Sequence, residues 1–151
     1  MSQIPTLVFR PATSDDFETL LELRLKTMRE SLERIGRFDP ARARDRFLQG
    51  FDPALMQVAY ADGRLVGCVT IRPVSATLSW IEHFYIDPEC QGRGLGAQIL
   101  HTIIGASEAE GRSLKLAVLR ESDANRFYIR HGFAETHREA WDIFYERRSN
   151  S

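Results

Sequence analysis

The sequence holds only two cysteines, Cys68 in an apolar stretch and Cys90 beside a glycine-rich turn, and its four histidines do not cluster. With no Cys-x-x-Cys pair and no histidine grouping, neither a disulfide scaffold nor a metal site is expected. A reactive thiol needs an electropositive, accessible setting, so Cys90 reads as a small residue tolerated near a loop. Excess charge of one sign is also missing: 20 Lys+Arg against 21 Asp+Glu leave a net charge of -1. Binding to a phosphate backbone normally demands a positive surplus, so no nucleic-acid partner is expected. No apolar run approaches the ~20 residues that span a bilayer, and Met1 to Pro5 lack the basic-then-apolar pattern of a signal peptide. The expectation is a cytoplasmic protein with no membrane partner. Internal repeats and linker-like segments are absent as well. What is present, 43% hydrophobic and 27% charged residues among 151, is ordinary globular composition and fits one domain over residues 1–151 with a real core.

Leu7 to Arg10 reads as a first strand. Ser14-Asp15-Asp16 follow, short polar residues able to cap the free amides of a helix. Phe17, Leu20, Leu21, Leu25, Met28 and Leu32 then recur at helical spacing and predict one buried stripe. Asp39-Pro40 reads as a cap followed by proline at the first helical position, where its missing amide costs nothing, and predicts a second helix to about Phe51. Arg42, Arg44 and Arg46 fall in that helix at steps of two, which spreads them around its surface as solvated charges with no docking face. Met56 to Ala61 and Leu65 to Ile71 flank Asp62-Gly63, a two-residue turn that favours a tight antiparallel hairpin. Leu78 to Ile86 forms a further strand and runs through Asp87-Pro88-Glu89-Cys90 into the glycine-rich segment. Beyond it, Leu95, Ile99, Leu100, Ile103 and Ile104 predict the buried stripe of a helix that Gly111 stops. Leu114 to Leu119 is again a strand, and strand-helix-strand order implies a crossover between parallel neighbours. Together with the hairpin this makes a mixed sheet in an α/β (α+β) chain. A short helix over Ser122 to His131 ends at Gly132, Phe133 to Thr136 and Trp141 to Glu146 close the sheet, and the tail from Arg147 to Ser151 is expected to be loose. Trp141, Ile143, Phe144 and Tyr145 of the last strand suit core packing or the edge of a homodimer.

Chemistry concentrates in Gln91-Gly92-Arg93-Gly94-Leu95-Gly96, between a strand end and a helix start. Glycines let backbone approach a ligand without Cβ obstruction, and unpaired amides at the positive helix end attract phosphate oxygens. A tight turn alone would not need three glycines in five residues with Arg93 among them, so a pyrophosphate is the expected guest. Gly92 to Ala97 also satisfies the relaxed dinucleotide fingerprint Gly-x-Gly-x-x-Ala. That fingerprint belongs in a first strand-helix unit, whereas here an antiparallel hairpin precedes it, and the next strand ends in Arg120-Glu121 without a clear ribose-binding acid. The P-loop fails outright, since no Gly-Lys-Ser/Thr occurs.

Gln91 to Gly96 matches the Gln/Arg-x-x-Gly-x-Gly/Ala signature of the GNAT superfamily of acetyl-CoA-dependent N-acetyltransferases, which the chain resembles over nearly its whole length. Phe84 to Glu89 is similar to the family's fourth strand, and Ala124 to Phe133, with Tyr128 and Gly132, to its later helix-and-glycine motif. The resemblance implies a mixed sheet of about six to seven strands, splayed between the fourth and fifth and flanked by about four helices. It implies acetyl-CoA as cosubstrate, held in the splay, and no metal. Backbone groups of Phe84, Tyr85 and Ile86 would pair with the pantetheine arm as an added strand does, and Gln91, Gly92, Arg93, Gly94, Leu95, Gly96 and Ala97 would hold the pyrophosphate. Seven residues before the motif tyrosine, where members often carry asparagine, stands Glu121, which leaves Ser122 or Asn125 as the polar group for the coenzyme.

Acetyl transfer to an amine needs a neutral nucleophile, a polarised thioester carbonyl and a proton for the departing thiolate. Family position makes Tyr128 the proton donor: a phenol of pKa about 10 stays protonated at pH 7, and a forming thiolate of pKa about 8.5 can accept from it. A plain core aromatic is the other reading, since Tyr128 shares a helical face with Ala124. A backbone amide near Ile86 is the expected oxyanion donor. Glu82 is the candidate general base, on one strand face with Phe84 and Ile86 by period-two alternation. It is an isolated acid among aromatic and aliphatic neighbours, costly to bury without a partner; a salt bridge at a strand edge is the competing role. His83 faces the other way as a hydrogen-bonded core histidine and reserve base. Arg29, Glu30, Glu33, Arg37 and Phe38 are placed to reach an acceptor. The reading is therefore transfer of an acetyl group to a primary amine of a small molecule or peptide in a ternary complex. A non-catalytic acyl-CoA sensor and a dinucleotide-dependent enzyme are the alternatives.

Overall fold

The computed structural model describes residues 6–150; Met1 to Pro5, which lack the signal-peptide pattern, and Ser151 lie outside the described residues. Seven strands and four helices follow in the order β1 (Leu7–Pro11), α1 (Phe17–Arg34), α2 (Pro40–Gly50), β2 (Met56–Ala61), β3 (Arg64–Ser75), β4 (Leu78–Ile86), α3 (Leu95–Ala109), β5 (Ser113–Leu119), α4 (Ala124–Arg130), β6 (Ala134–Arg138) and β7 (Asp142–Arg147). The sheet is mixed, with strand order β1-β2-β3-β4-β5-β7-β6. The chain divides into two compact units, one of residues up to Thr70 with His83–Ile99, the other of Ile71–Glu82 with Leu100 onward. Among the described residues no helix is long and apolar enough to cross a membrane.

In the first unit, β1, β2 and β3 form an antiparallel ladder with Val58 opposite Cys68. The Asp62-Gly63 turn behaves as its sequence predicts, both residues taking positive φ (51° and 76°), as the turn favoured by twisted hairpins requires. Ser14–Asp16 forms a single 3-10 turn, so α1 begins three residues later than the capping pattern suggests. Its buried face is centred on Leu20, Leu21 and Leu23, while Leu25 and Met28 only pack against the core and Leu32 is half-buried. Asp39 caps α2 by accepting from the Arg42 amide at 3.2 Å. Phe47 is fully buried, with Phe17 stacked on it at 5.4 Å and Phe51 tilted against it at 5.5 Å between ring centres. Arg44 pairs with Glu18, as a solvated helix face would.

An ion pair fixes β1 to the turn that starts α1. Arg10 donates to both carboxylate oxygens of Asp16 at 2.8 Å and to the Tyr60 hydroxyl at 2.8 Å. The Arg10 bond, with help from the Thr13 amide and against the cost of burial, lowers the Asp16 carboxyl to about 2. A carboxyl depressed in the folded state contributes stability that is fully present above its unfolded value near 4 and is lost as the pH falls toward about 2. Asp16→Asn is therefore expected to lower the unfolding free energy at pH 7 by about 1 kcal/mol, given the exposed arginine, and Tm with it. The gap from wild type should close between pH 4 and 2; a gap independent of pH in thermal melts would contradict this.

In the second unit, β4 runs parallel to β5 with Leu78, Ser79 and Trp80 opposite Ser113, Leu114 and Lys115, and the ladder extends no further among the described residues. The sheet splays between these two strands. β7 then pairs antiparallel with β5 and with the edge strand β6. Leu114, Leu116, Ile143 and Tyr145 are buried here. The tail is not loose over its described residues: Arg147 belongs to β7 and binds Glu108 at 2.8 Å, Ser149 donates its amide to Ser113, and the Asn150 amide reaches Glu108. A carboxylate on α3 thus collects the end of the chain, a contact across about forty residues that no local pattern announces. Phe133 and Trp141 fall just outside the strands predicted for them.

Candidate active site

β4 ends in Phe84-Tyr85-Ile86, and its approach to β3 depends on a missing side chain. A Cβ on Gly67 would stand 2.5 Å from the Tyr85 carbonyl oxygen and 2.9 Å from Ile86 Cδ1, closer than real carbon contacts allow. Just before this stretch His83 adopts φ 48°, a conformation uncommon outside glycine, so the strict alternation expected along β4 is broken at that residue. The His83 ring packs on Phe47 at 5.0 Å, and Nδ1 lies 3.4 Å from the Thr70 hydroxyl.

The segment after β4 is anchored before the glycines begin. Asp87 donates its amide to Val66, and its carboxylate caps the Pro88–Cys90 turn by accepting from the Glu89 amide. Burial pushes the Asp87 carboxyl up, but the Glu89 amide and Lys26 outweigh it and hold the carboxyl below its ordinary value. Lys26 of α1 bridges Asp87 and Glu89, and Arg64 of β3 binds Glu89 at 2.8 Å. Gln91 donates its side chain to the Ile86 carbonyl at 3.1 Å. Cys90 is buried, and so is Cys68, whose thiol burial pushes up to about 12.

Gly92 and Gly94 take φ 81° and 74°, with nothing within 4 Å of where a Cβ would sit. Gln91 to Gly94 are exposed, and Leu95 turns its side chain into the core, so only its backbone can serve a ligand. The Gly94 carbonyl accepts from Gln98 and opens α3, which leaves the amides of Leu95, Gly96 and Ala97 without partners inside the helix. An open cradle of backbone donors at a helix start fits a diphosphate. Among the described residues no group of three or more His, Cys, Asp or Glu is gathered to hold a metal.

In the second unit, Glu82 is not the isolated acid its apolar neighbours suggest. Its Oε1 accepts from Arg72 Nε at 2.7 Å, both side chains being about one-third exposed. β3 runs on to Ser75, beyond the Ile71 end expected for it, and carries Arg72 into position. Tyr128, on α4, is buried against Phe127 and Phe133 at 5.3 and 5.6 Å. Asn125 has both ends of its side chain engaged within the protein: Nδ2 donates to Leu119 and Ser122 carbonyls, and Oδ1 accepts from the Tyr145 hydroxyl at 2.7 Å. These bonds tie the β5 end to α4 and β7. Glu121 is exposed. Of the residues expected to reach an acceptor, Arg29 pairs with Glu33 and lies over Phe38, and Glu30 pairs with Arg34.

A family model for the acetyltransferase (GNAT) domain matches residues 52–135, more than half of the chain. The chain belongs to the GNAT acetyltransferase family. Comparison with curated proteins gives no match. Among solved structures, this GNAT chain is similar to the PaiA N-acetyltransferase of Thermoplasma acidophilum in complex with coenzyme A, at 18% identity and TM-score 0.77, over 95% of this chain and 99% of that one. A GNAT acetyltransferase of Staphylococcus aureus aligns at 16% identity and TM-score 0.73, over 95% and 99%. The N-acetylglutamate synthase of Neisseria gonorrhoeae, complexed with coenzyme A and L-arginine, aligns at 19% identity and TM-score 0.68, over 97% of this chain and 34% of that one. These likenesses establish the GNAT fold. The matched segment includes β4, the glycine loop and Tyr128, the parts whose residue pattern was legible. Arg72 and the clamp between Asn125 and Tyr145 were not, because each joins residues distant in sequence by side chains that carry no periodic signal.

Proposed function

We propose that this GNAT protein transfers an acetyl group from acetyl-CoA to a primary amine of a small molecule or peptide, by direct attack in a ternary complex. The observation that carries the reading is the open glycine cradle at the start of α3, following a strand whose described pairing with β5 covers only Leu78, Ser79 and Trp80. Gly92, Arg93, Gly94, Gly96, Ala97 and the Leu95 backbone would hold the diphosphate, with Gln91 bracing the loop, and the edge of Phe84, Tyr85 and Ile86 would lie along the pantetheine as an added strand does. The coenzyme supplies an acetyl group activated as a thioester. Tyr128 gives its phenolic proton to the departing sulfur. Asn125 positions the helix that carries this phenol. In support, the Thermoplasma and Neisseria relatives were both solved with coenzyme A.

Glu82 would accept the proton of the amine, with Arg72 holding its carboxylate in place. How much this matters depends on the acceptor: a lysine-like amine loses roughly 4.6 kcal/mol in becoming neutral at pH 7, an α-amine only about 1 to 1.4 kcal/mol. Glu82→Gln is expected to shift the pH-rate profile for lysine-like acceptors and to change it little for α-amines. An unaltered profile for both would leave Glu82 only its ion pair.

The test combines thermal shifts with a free-thiol assay across an amine panel. Acetyl-CoA, and not NAD(P) or FAD, is expected to raise Tm, and at least one amine to release thiol. Stabilisation by a dinucleotide instead would make the glycine loop a nucleotide site. Stabilisation by acetyl-CoA without thiol release would make the protein an acyl-CoA sensor.

A further inference from the structure

α1 carries an arginine that the protein itself leaves poorly served. Arg29, Arg34 and Arg44 on the first two helices each meet a carboxylate. Half-buried Arg24 meets none among the described residues: Nη1 donates to the Tyr85 hydroxyl at 2.5 Å, and buried Nε has no hydrogen-bond partner. The guanidinium also stands 5.9 Å from the ring centres of Phe47 and Tyr85, at the outer limit of about 6 Å where cation–π attraction counts. Arginine cannot shed its charge, and its five N–H donors form a planar fork suited to a carboxylate. One neutral acceptor and two distant rings compensate a partly desolvated cation poorly. Tyr85, the residue that engages Arg24, belongs to the strand stretch along which the pantetheine is placed above.

We infer that Arg24 is a specificity determinant that binds a carboxylate on the acceptor, so that the amine substrate is an amino acid or another amine bearing a carboxylate. The inference rests on the acetyltransferase reading and narrows it. A fork donating two charge-assisted bonds discriminates strongly against an acceptor lacking the acid, because the cation then stays unpaired.

The experiment compares matched acceptors, 4-aminobutyrate against butylamine and α-amino acids against their carboxamides, by thiol release with wild type, Arg24→Met and Arg24→Lys. Wild type is expected to prefer the acids about 10- to 100-fold in kcat/KM. Arg24→Met should bring that ratio near one, leave the amines without an acid unchanged and keep the KM for acetyl-CoA. Arg24→Lys, which keeps the charge without the fork, should retain part of the preference and serves alone if the Met variant does not fold. No preference in wild type, or an equal loss of both series in Arg24→Met, overturns the inference while leaving acetyl transfer intact. If no amine releases thiol, acetyl transfer is what fails, and calorimetric binding of the same acids decides Arg24: binding lost in Arg24→Met supports it, and equal binding or none overturns it.

Discussion

Tyr128→Phe is expected to lower turnover by about 10²- to 10⁴-fold, the range in which a positioned general acid acts, while the KM for acetyl-CoA stays within about twofold. The separation between the two constants is the informative part. Removing an interaction made only as the sulfur departs lowers kcat without touching ground-state binding. Phenylalanine keeps the ring that packs against Phe127 and Phe133, so a loss of turnover cannot be blamed on a cavity in the core. Single-turnover measurement of thiol release, alongside a thermal melt, checks both halves. Unchanged turnover would reduce Tyr128 to the buried aromatic that its low exposure also permits.

Gly67→Ala should be strongly damaging, its Cβ meeting the tightest contact among the described glycines. The added carbon would press on a main-chain oxygen, that of Tyr85, at 2.5 Å, and backbone cannot swing aside as a flexible side chain can. Overpacking of this kind costs about 1–3 kcal/mol, or roughly 2–4 °C of Tm per kcal/mol at this chain length. Relief comes only by moving Tyr85 and Ile86 away from β3, so acetyl-CoA affinity should fall together with Tm. Loss of stability with unchanged coenzyme affinity would mean that the end of β4 is not the coenzyme's edge.

Elements whose signals are local were legible in the residues. The Asp62-Gly63 hairpin, the Asp39-Pro40 cap and the glycine-rich start of α3 are each specified within a few positions, and the structure has all three. The β4–β5 splay came from resemblance to a family and from nothing in the local pattern. What escaped depends on pairs far apart along the chain. Arg72 changes the environment of Glu82 only because β3 extends past Ile71, and Asn125 meets a hydroxyl twenty positions away. Composition could not show that half-buried Arg24 meets no acid among the described residues while Arg29, Arg34 and Arg44 each do, since that depends on which faces the helices bury.

Both thiols are sealed inside the folded chain. An electrophilic dye added to follow turnover therefore meets only the sulfur released from the coenzyme. Left with protein alone, the same dye becomes a slow clock, because it can react only when a segment transiently opens. Cys90 sits immediately ahead of the glycine cradle, so its ticking would time the breathing of that loop, and a bound coenzyme would lengthen the interval.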